Sequence, residues 1–345
     1  MTEDHRRVSH WFAAHPALGY LIRRFVQYLF TMWAALTATF FFFRLIPGDP
    51  LTSYLQTLPQ FTPAGKAVVN HYKEAFDLNG NLLQQYAVYM YQLVVHHNLG
   101  PSLLSYPTPA LVLVAHAAPW TIGLLGLSAL IAWFLGVFLG AVAGWRRESP
   151  LSTALTYCAL ALSNIPFFFV AIILVLVFAF TLNVMPATYP YEPGMEVSFS
   201  LPFILSVLYH ALIPAFSLVV VAMFANFLGM RQQMITVLGE DYMTFATAKG
   251  LRPWRILRRY GMPNCYLPQI TGLMVSLGFI FSGNIILEQF FIYPGVGHLL
   301  GAALAQRDFN TLMAITNVII FIVLTAVFLI DMALPLLDPR IKYQR

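Results

Sequence analysis

Apolar residues along this chain gather into long runs and do not alternate with polar ones. Six windows reach the roughly 20 predominantly apolar residues that a bilayer crossing needs: 25–45, 119–144, 153–181, 203–229, 266–287 and 311–334. All six are read as helices, because an open strand leaves backbone groups unsatisfied in lipid. Two polar stretches interrupt them. One is the segment 46–118. The other is Glu240–Asn264, a short basic hairpin between the fourth and fifth windows. The pattern predicts an all-α integral membrane protein with six transmembrane helices.

Composition agrees with this. Of the 345 residues 59% are hydrophobic and 10% charged, and the mean hydropathy is +0.71. Soluble domains carry about 25% charged residues. The net charge of +5 follows membrane orientation and does not suggest a nucleic-acid partner. With both ends inside, 15 of the 19 Lys and Arg residues fall on the cytosolic side, and only Arg44, Lys66, Lys73 and Arg307 lie outside. This obeys the positive-inside rule and places the hairpin, taken as 231–264, in the cytosol.

The first residues, 1–20, read as a cytosolic extension and not as a cleaved leader, since the apolar run that follows is too long and ends without a small-residue cleavage site. In the outer segment Thr62-Pro63 marks a helix start and Leu78-Asn79-Gly80-Asn81 a turn. Gln84–His97 has helical spacing and suits an external helix. Cys158 and Cys265 lie in or beside apolar runs and read as small buried hydrophobes. His96, His97, His210 and His298 lack the spacing of metal ligands.

Within the hairpin Leu238, Tyr242 and Phe245 fall on one helical face. Ala246 stands four residues after Tyr242 and four before Gly250, which forms a small, flat spot beside an aromatic. Gly250 suits a helix C-terminus. Arg252, Arg255, Arg258 and Arg259 then form a basic face, closed by Met262-Pro263. The pattern is that of a docking helix, and the plain alternative is an ordinary basic loop. In the second window Gly136, Gly140 and Gly144 repeat every four residues, a spacing that permits close helix packing.

Ala246, Gly250 and Met262-Pro263 resemble the EAA signature of permease subunits of bacterial ABC importers, although Thr244 and Phe245 stand where that signature has Glu and Ala. Asp241-Tyr242 and Ala246-Thr247-Ala248-Lys249-Gly250-Leu251 are similar to the form found in peptide, nickel and oligosaccharide permeases, the dipeptide and oligopeptide permease B-like group. Further pieces occur in the same order: Arg44-Leu45-Ile46-Pro47-Gly48-Asp49-Pro50, Asn98-Leu99-Gly100-Pro101-Ser102, Ser163-Asn164-Ile165-Pro166-Phe167, Tyr293-Pro294-Gly295-Val296-Gly297, Arg307-Asp308-Phe309 and Leu337-Asp338-Pro339-Arg340-Ile341-Lys342-Tyr343.

The resemblance implies a type I ABC importer permease fold over residues 21–345. It implies a second homologous permease, two cytosolic ATPase subunits and an extracytoplasmic substrate-binding protein as partners. ATP and Mg would sit on the ATPases, since this chain has no phosphate loop of the form GxxxxGK followed by Ser or Thr and binds no cofactor of its own. Asp241, Tyr242, Thr244, Phe245, Ala246, Gly250 and Pro263 would couple to the ATPase. Asn164, Asn226, Asn284 and Glu288 are the candidates for the translocation path, because polar groups at membrane depth are functional suspects. Short peptides are the expected substrate, with oligosaccharides or a nickel complex as alternatives. An ATP-independent secondary transporter is the rival reading, and an intramembrane enzyme would need a catalytic set that the sequence does not offer.

Overall fold

A computed structural model describes residues 16–46, 80–280 and 284–337 of the protein. The N-terminal extension up to residue 15, Pro47–Pro50, the helix start at Thr62-Pro63 and the terminal stretch Asp338–Tyr343 lie outside the described residues. Among the described residues the structure is helical, and its only bridge pairs Pro101 with Pro109.

The helices, in chain order, are α1 (Pro16–Leu45), α2 (Leu82–Tyr91, continued by a π turn, Gln92–His96), α3 (Ala110–Trp145), α4 (Pro150–Leu162), α5 (Phe167–Thr181) and α6 (Leu201–Leu238). They continue with α7 (Asp241–Ala248), α8 (Pro253–Ile256, with a π turn, Leu257–Gly261), α9 (Met262–Ile280), α10 (Ile285–Phe290), α11 (Val296–Gln306) and α12 (Phe309–Leu337). Four of them are long and apolar enough to cross a membrane: Gly19–Leu45, Ala110–Trp145, Leu201–Leu238 and Phe309–Leu329.

Two of the six windows differ from a single straight span. Window 153–181 is a helix pair, α4 and α5, bent by 94°. Pro166 has no N–H to donate and disfavours helix at Ile165, so the chain breaks at Ser163–Pro166. Window 266–287 is divided between α9 and α10. Pro263, Asn264, Pro268 and Gln269 make the first half of α9 less apolar than a plain span. Five spans are counted if the bent pair is one.

The chain forms two compact units, residues 1–116 with 299–345, and residues 117–298. In the first, α1 packs on α12. Tyr28 and Thr325 share a hydrogen bond of 2.9 Å, the rings of Tyr28 and Phe328 lie 5.1 Å apart, and Arg24 pairs with Asp331 at 3.0 Å. Gly80, at φ +84, makes the turn before α2, and Asn81 with Gln84 forms a capping box. Tyr89 of α2 is buried, lies tilted against the Phe40 ring at 5.0 Å, and accepts a 2.7 Å hydrogen bond from Asn317 Nδ2.

In the second unit α3 lies along α6. A Cβ on Gly140 would stand 2.5 Å from Phe227 O, and one on Gly144 2.9 Å from Arg231 O. The three glycines are thus the seam where two backbones meet. Met230 and Met234 fill the space beside it, wholly buried with Val137, Ala141, Leu257 and Cys265. Cys158 is exposed on α4, unlike the burial expected of both cysteines.

Candidate functional site

The polar hairpin starts later than 231, because α6 carries Arg231 and continues to Leu238 before Gly239 turns the chain. Glu240 adopts an extended N-cap conformation, φ −81 and ψ 146, and α7 follows with Asp241 in its first turn, where an acid complements the helix dipole. Met243 and Ala246 are 3% and 1% exposed and pack on Ile256, beside Trp145, Val237, Leu238 and Leu251. The other face carries Tyr242, 37% exposed, Phe245, 61% exposed, and the exposed Asp241 and Thr244.

This divides the face that the spacing suggested. Leu238 belongs to α6, and the break at Gly239 takes it out of register with Tyr242 and Phe245. Ala246 looks into the chain and not outward: its small size lets α7 lie close on α8. The aromatic residues are what α7 presents. Lys249 Nζ sits 4.5 Å above the Phe245 ring, which steadies that exposed side chain. Burial and the Glu240 carboxylate push the Tyr242 phenol above its ordinary range, so it stays a neutral hydroxyl.

Gly250 closes α7 with its N–H on Thr247 O at 3.0 Å and φ of +68. A Cβ there would meet nothing within 4 Å. The need for glycine is therefore conformational, where the sequence suggested a close surface contact. Arg252, Arg255, Arg258 and Arg259, all exposed, then line a groove of about 480 Å³ with Gly250, Leu251 and Trp254. Its π turn runs directly into α9, whose second residue is the exposed Pro263. A proline ring clashes with the carbonyl four residues back in a regular helix, and a π turn shifts that carbonyl aside.

The four polar residues suspected along a path fall in different settings. Asn164 is exposed at the α4–α5 break, and its Nδ2 donates to Leu160 O at 2.6 Å. Asn226 is half-buried on α6 and donates to Ala222 O at 2.8 Å. Asn284 caps α10 by accepting from Leu287 N at 3.1 Å. Each amide thus serves its own helix. Glu288 is wholly buried. Its carboxylate accepts from Thr121 Oγ1 at 2.8 Å and from His298 N at 3.1 Å, while Thr121 Oγ1 accepts from Val296 N at 2.7 Å.

That arrangement explains Tyr293-Pro294-Gly295-Val296-Gly297. A Cβ on Gly295 would lie 2.5 Å from both the Glu288 carboxyl carbon and Thr121 Oγ1, and one on Gly297 would lie 2.8 Å from Ile285 N. A second such centre, passed over at the level of sequence, is Asp308 in the first unit. It is wholly buried and accepts from Ser102 Oγ at 2.5 Å, Leu103 N at 2.8 Å, Leu104 N at 3.2 Å, Thr311 N at 3.1 Å and Thr311 Oγ1 at 2.7 Å. Gly100, at φ +83, brings that loop under Asn310, whose Nδ2 donates to Pro101 O at 3.1 Å. Two separate motifs, Asn98–Ser102 and Arg307–Phe309, are therefore one structure. Gly100 and Ser102 in the one and Asp308 in the other are the available signal.

Residues 136–343 match the profile of the family described as binding-protein-dependent transport system inner membrane component. The chain belongs to this family. It is accordingly a multi-pass inner-membrane transport component, and the match covers the glycine seam, α7 and both carboxylate centres in part or whole. Among its relatives the dipeptide transport system permease protein DppB of Bacillus subtilis is 29% identical over 94% of this chain and 98% of that protein. A putative peptide permease protein of Brucella suis is 30% identical over 94% of this chain and 99% of its own length. The oligopeptide transport system permease protein OppB of Escherichia coli is 27% identical, over 94% and 100% respectively.

Proposed function

We propose that the chain is the transmembrane permease subunit of an ATP-driven ABC importer of short peptides. The carrying observation is α7: a short helix between the fourth and fifth apolar windows of the sequence, held inward by Met243 and Ala246, with Tyr242 and Phe245 turned outward. Exposed aromatics on a rigid mount are the residues that dominate protein interfaces. In this reading Asp241, Tyr242, Thr244 and Phe245 enter a cleft of a cytosolic ATPase, while Ala246, Gly250 and Pro263 shape and seat the helix. Two ATPase subunits hold ATP and Mg, and a second homologous permease completes the path. An extracytoplasmic binding protein delivers substrate, and both termini of this chain face the cytosol. Asn164, the exposed member of the polar set, is the first candidate for contact with the path, and Asn226 the second.

The names of the full-length relatives, dipeptide and oligopeptide permeases, support peptides over oligosaccharides or a nickel complex. The test is uptake by the reconstituted complex. Short labelled peptides should enter sealed vesicles only with ATP and the binding protein. Uptake driven by an ion gradient without ATP would overturn the reading in favour of a secondary transporter. ATP-dependent uptake confined to oligosaccharide or nickel complex would overturn the substrate alone.

A further inference from the structure

The basic groove after Gly250 is not absorbed by the coupling role. Arg252, Arg255, Arg258 and Arg259 recur at three- and four-residue steps and share one side of α8 and its π turn. Among the described residues none of the four has a carboxylate within ion-pair distance, whereas Arg24 and Arg147 do. Four guanidinium groups are thus gathered around a space of about 480 Å³ with no counter-charge paired to them among the described residues. Guanidinium forks match phosphate oxygens in pairs. Trp254 lines the same groove and is 56% exposed. Tryptophan favours the level of lipid headgroups, and the fifth apolar window of the sequence, 266–287, begins a few residues after the π turn. A phosphate site with an interfacial tryptophan at the root of an apolar window has the chemistry of a lipid headgroup site.

We propose that this groove binds the headgroup of an anionic phospholipid, phosphatidylglycerol or its like, in the leaflet that faces the ATPases. The arginines hold the phosphate and Trp254 sits among the headgroups. The bound lipid fixes the height of α8, and through the Met243–Ala246–Ile256 contact the height of α7. The assignment rests on the orientation proposed above. Binding in detergent does not depend on orientation or on the transported substrate, so its failure is distinguishable from failure of that reading.

The experiment uses the purified complete transporter in mixed micelles containing phosphatidylglycerol or neutral phosphatidylcholine. The wild type should retain phosphatidylglycerol and not phosphatidylcholine. Each arginine near an anionic surface contributes about fivefold to binding, so R255Q/R258Q/R259Q should retain phosphatidylglycerol on the order of 100-fold more weakly. A photoactivatable phosphatidylglycerol on the wild-type complex should label residues 251–259, which answers the question even if the triple variant fails to insert. Equal retention by the variant, or labelling elsewhere only, overturns the proposal. Displacement of the lipid by millimolar inorganic phosphate overturns the choice of lipid over free phosphate. Loss of the ATPase from the variant with lipid retention unchanged overturns it in favour of a protein partner.

Discussion

The buried carboxylate of Asp308 and the exposed helix α7 both carry motif residues, yet they use them in opposite ways. At Asp308 the motif side chains of Leu99, Ser102 and Asp308 are buried and each carboxylate contact is a hydrogen bond made within the chain. On α7 Met243 and Ala246 turn inward and Tyr242 and Phe245 turn out, with the Lys249 ammonium over the Phe245 ring. Motif residues of the first kind hold a shape, and those of the second kind present one. Burial, not position in a motif, separates them: Asp308 is 0% exposed and Phe245 61%.

Asp308→Ala is the strongest way to break this contrast. It strands the N–H groups of Leu103 and Thr311 and the hydroxyl of Ser102, while Leu104 N and Thr311 Oγ1 keep Ser102 Oγ as an acceptor. Orphaned buried donors cost about 1 to 3 kcal/mol each, and relaxation of the Ser102–Leu104 loop recovers part of it. A net loss of roughly 3 to 5 kcal/mol is expected, read as a large fall in melting temperature of the detergent-solubilised protein. An unchanged melting temperature would show that the centre does not hold the loop.

Gly295→Ala probes the same kind of centre at Glu288. The new methyl would press on a carboxylate and a hydroxyl that are already bonded to each other. Overpacking of this sort costs about 1 to 3 kcal/mol. The same thermal measurement checks it, and a melting temperature within error of wild type would mean that α10 and α11 separate readily.

Hydropathy runs were enough to place α1, α3, α6 and α12, because twenty apolar residues in a row have few other fates. The glycine seam was equally legible, since Gly136, Gly140 and Gly144 leave no side chain to keep α6 away. The 94° break between α4 and α5 was not read, though Pro166 was in view, because a continuous apolar window hides a bend. Ala246 was placed on the wrong side of α7 for a related reason. Helical spacing tells which residues share a face, but not which face the neighbouring chain covers, and Ile256 covers that one. The role of Asp308 is not legible in the sequence because Ser102, Leu103 and Leu104, which donate three of its five hydrogen bonds, stand some two hundred positions away.

Gly250→Ala tests the boundary between the two kinds of residue. Its φ of +68 suits glycine, and nothing lies within 4 Å of the added methyl. The expected cost is about 1 kcal/mol from backbone strain alone. Gly250→Trp carries the same strain and adds bulk beside α7, so ATP hydrolysis should continue while peptide uptake falls, with membrane insertion intact. Normal uptake by Gly250→Trp would remove Gly250 from the coupling role.

Phe245→Ala should disturb the fold least. The ring is mostly exposed, and the Lys249 ammonium lies over it, so the stability change should be about 0.5 kcal/mol. Its effect on assembly should be out of proportion to that. An aromatic anchor in a protein interface commonly costs more than 1 kcal/mol when truncated, which is at least about fivefold in affinity for the ATPase and is measurable by co-isolation at graded concentrations. The two numbers must diverge if α7 presents its motif outward. Should Phe245→Ala keep full ATPase association and full uptake, the outward face would be ordinary exposed surface, and the difference between α7 and the Asp308 centre would be one of burial without a difference in role.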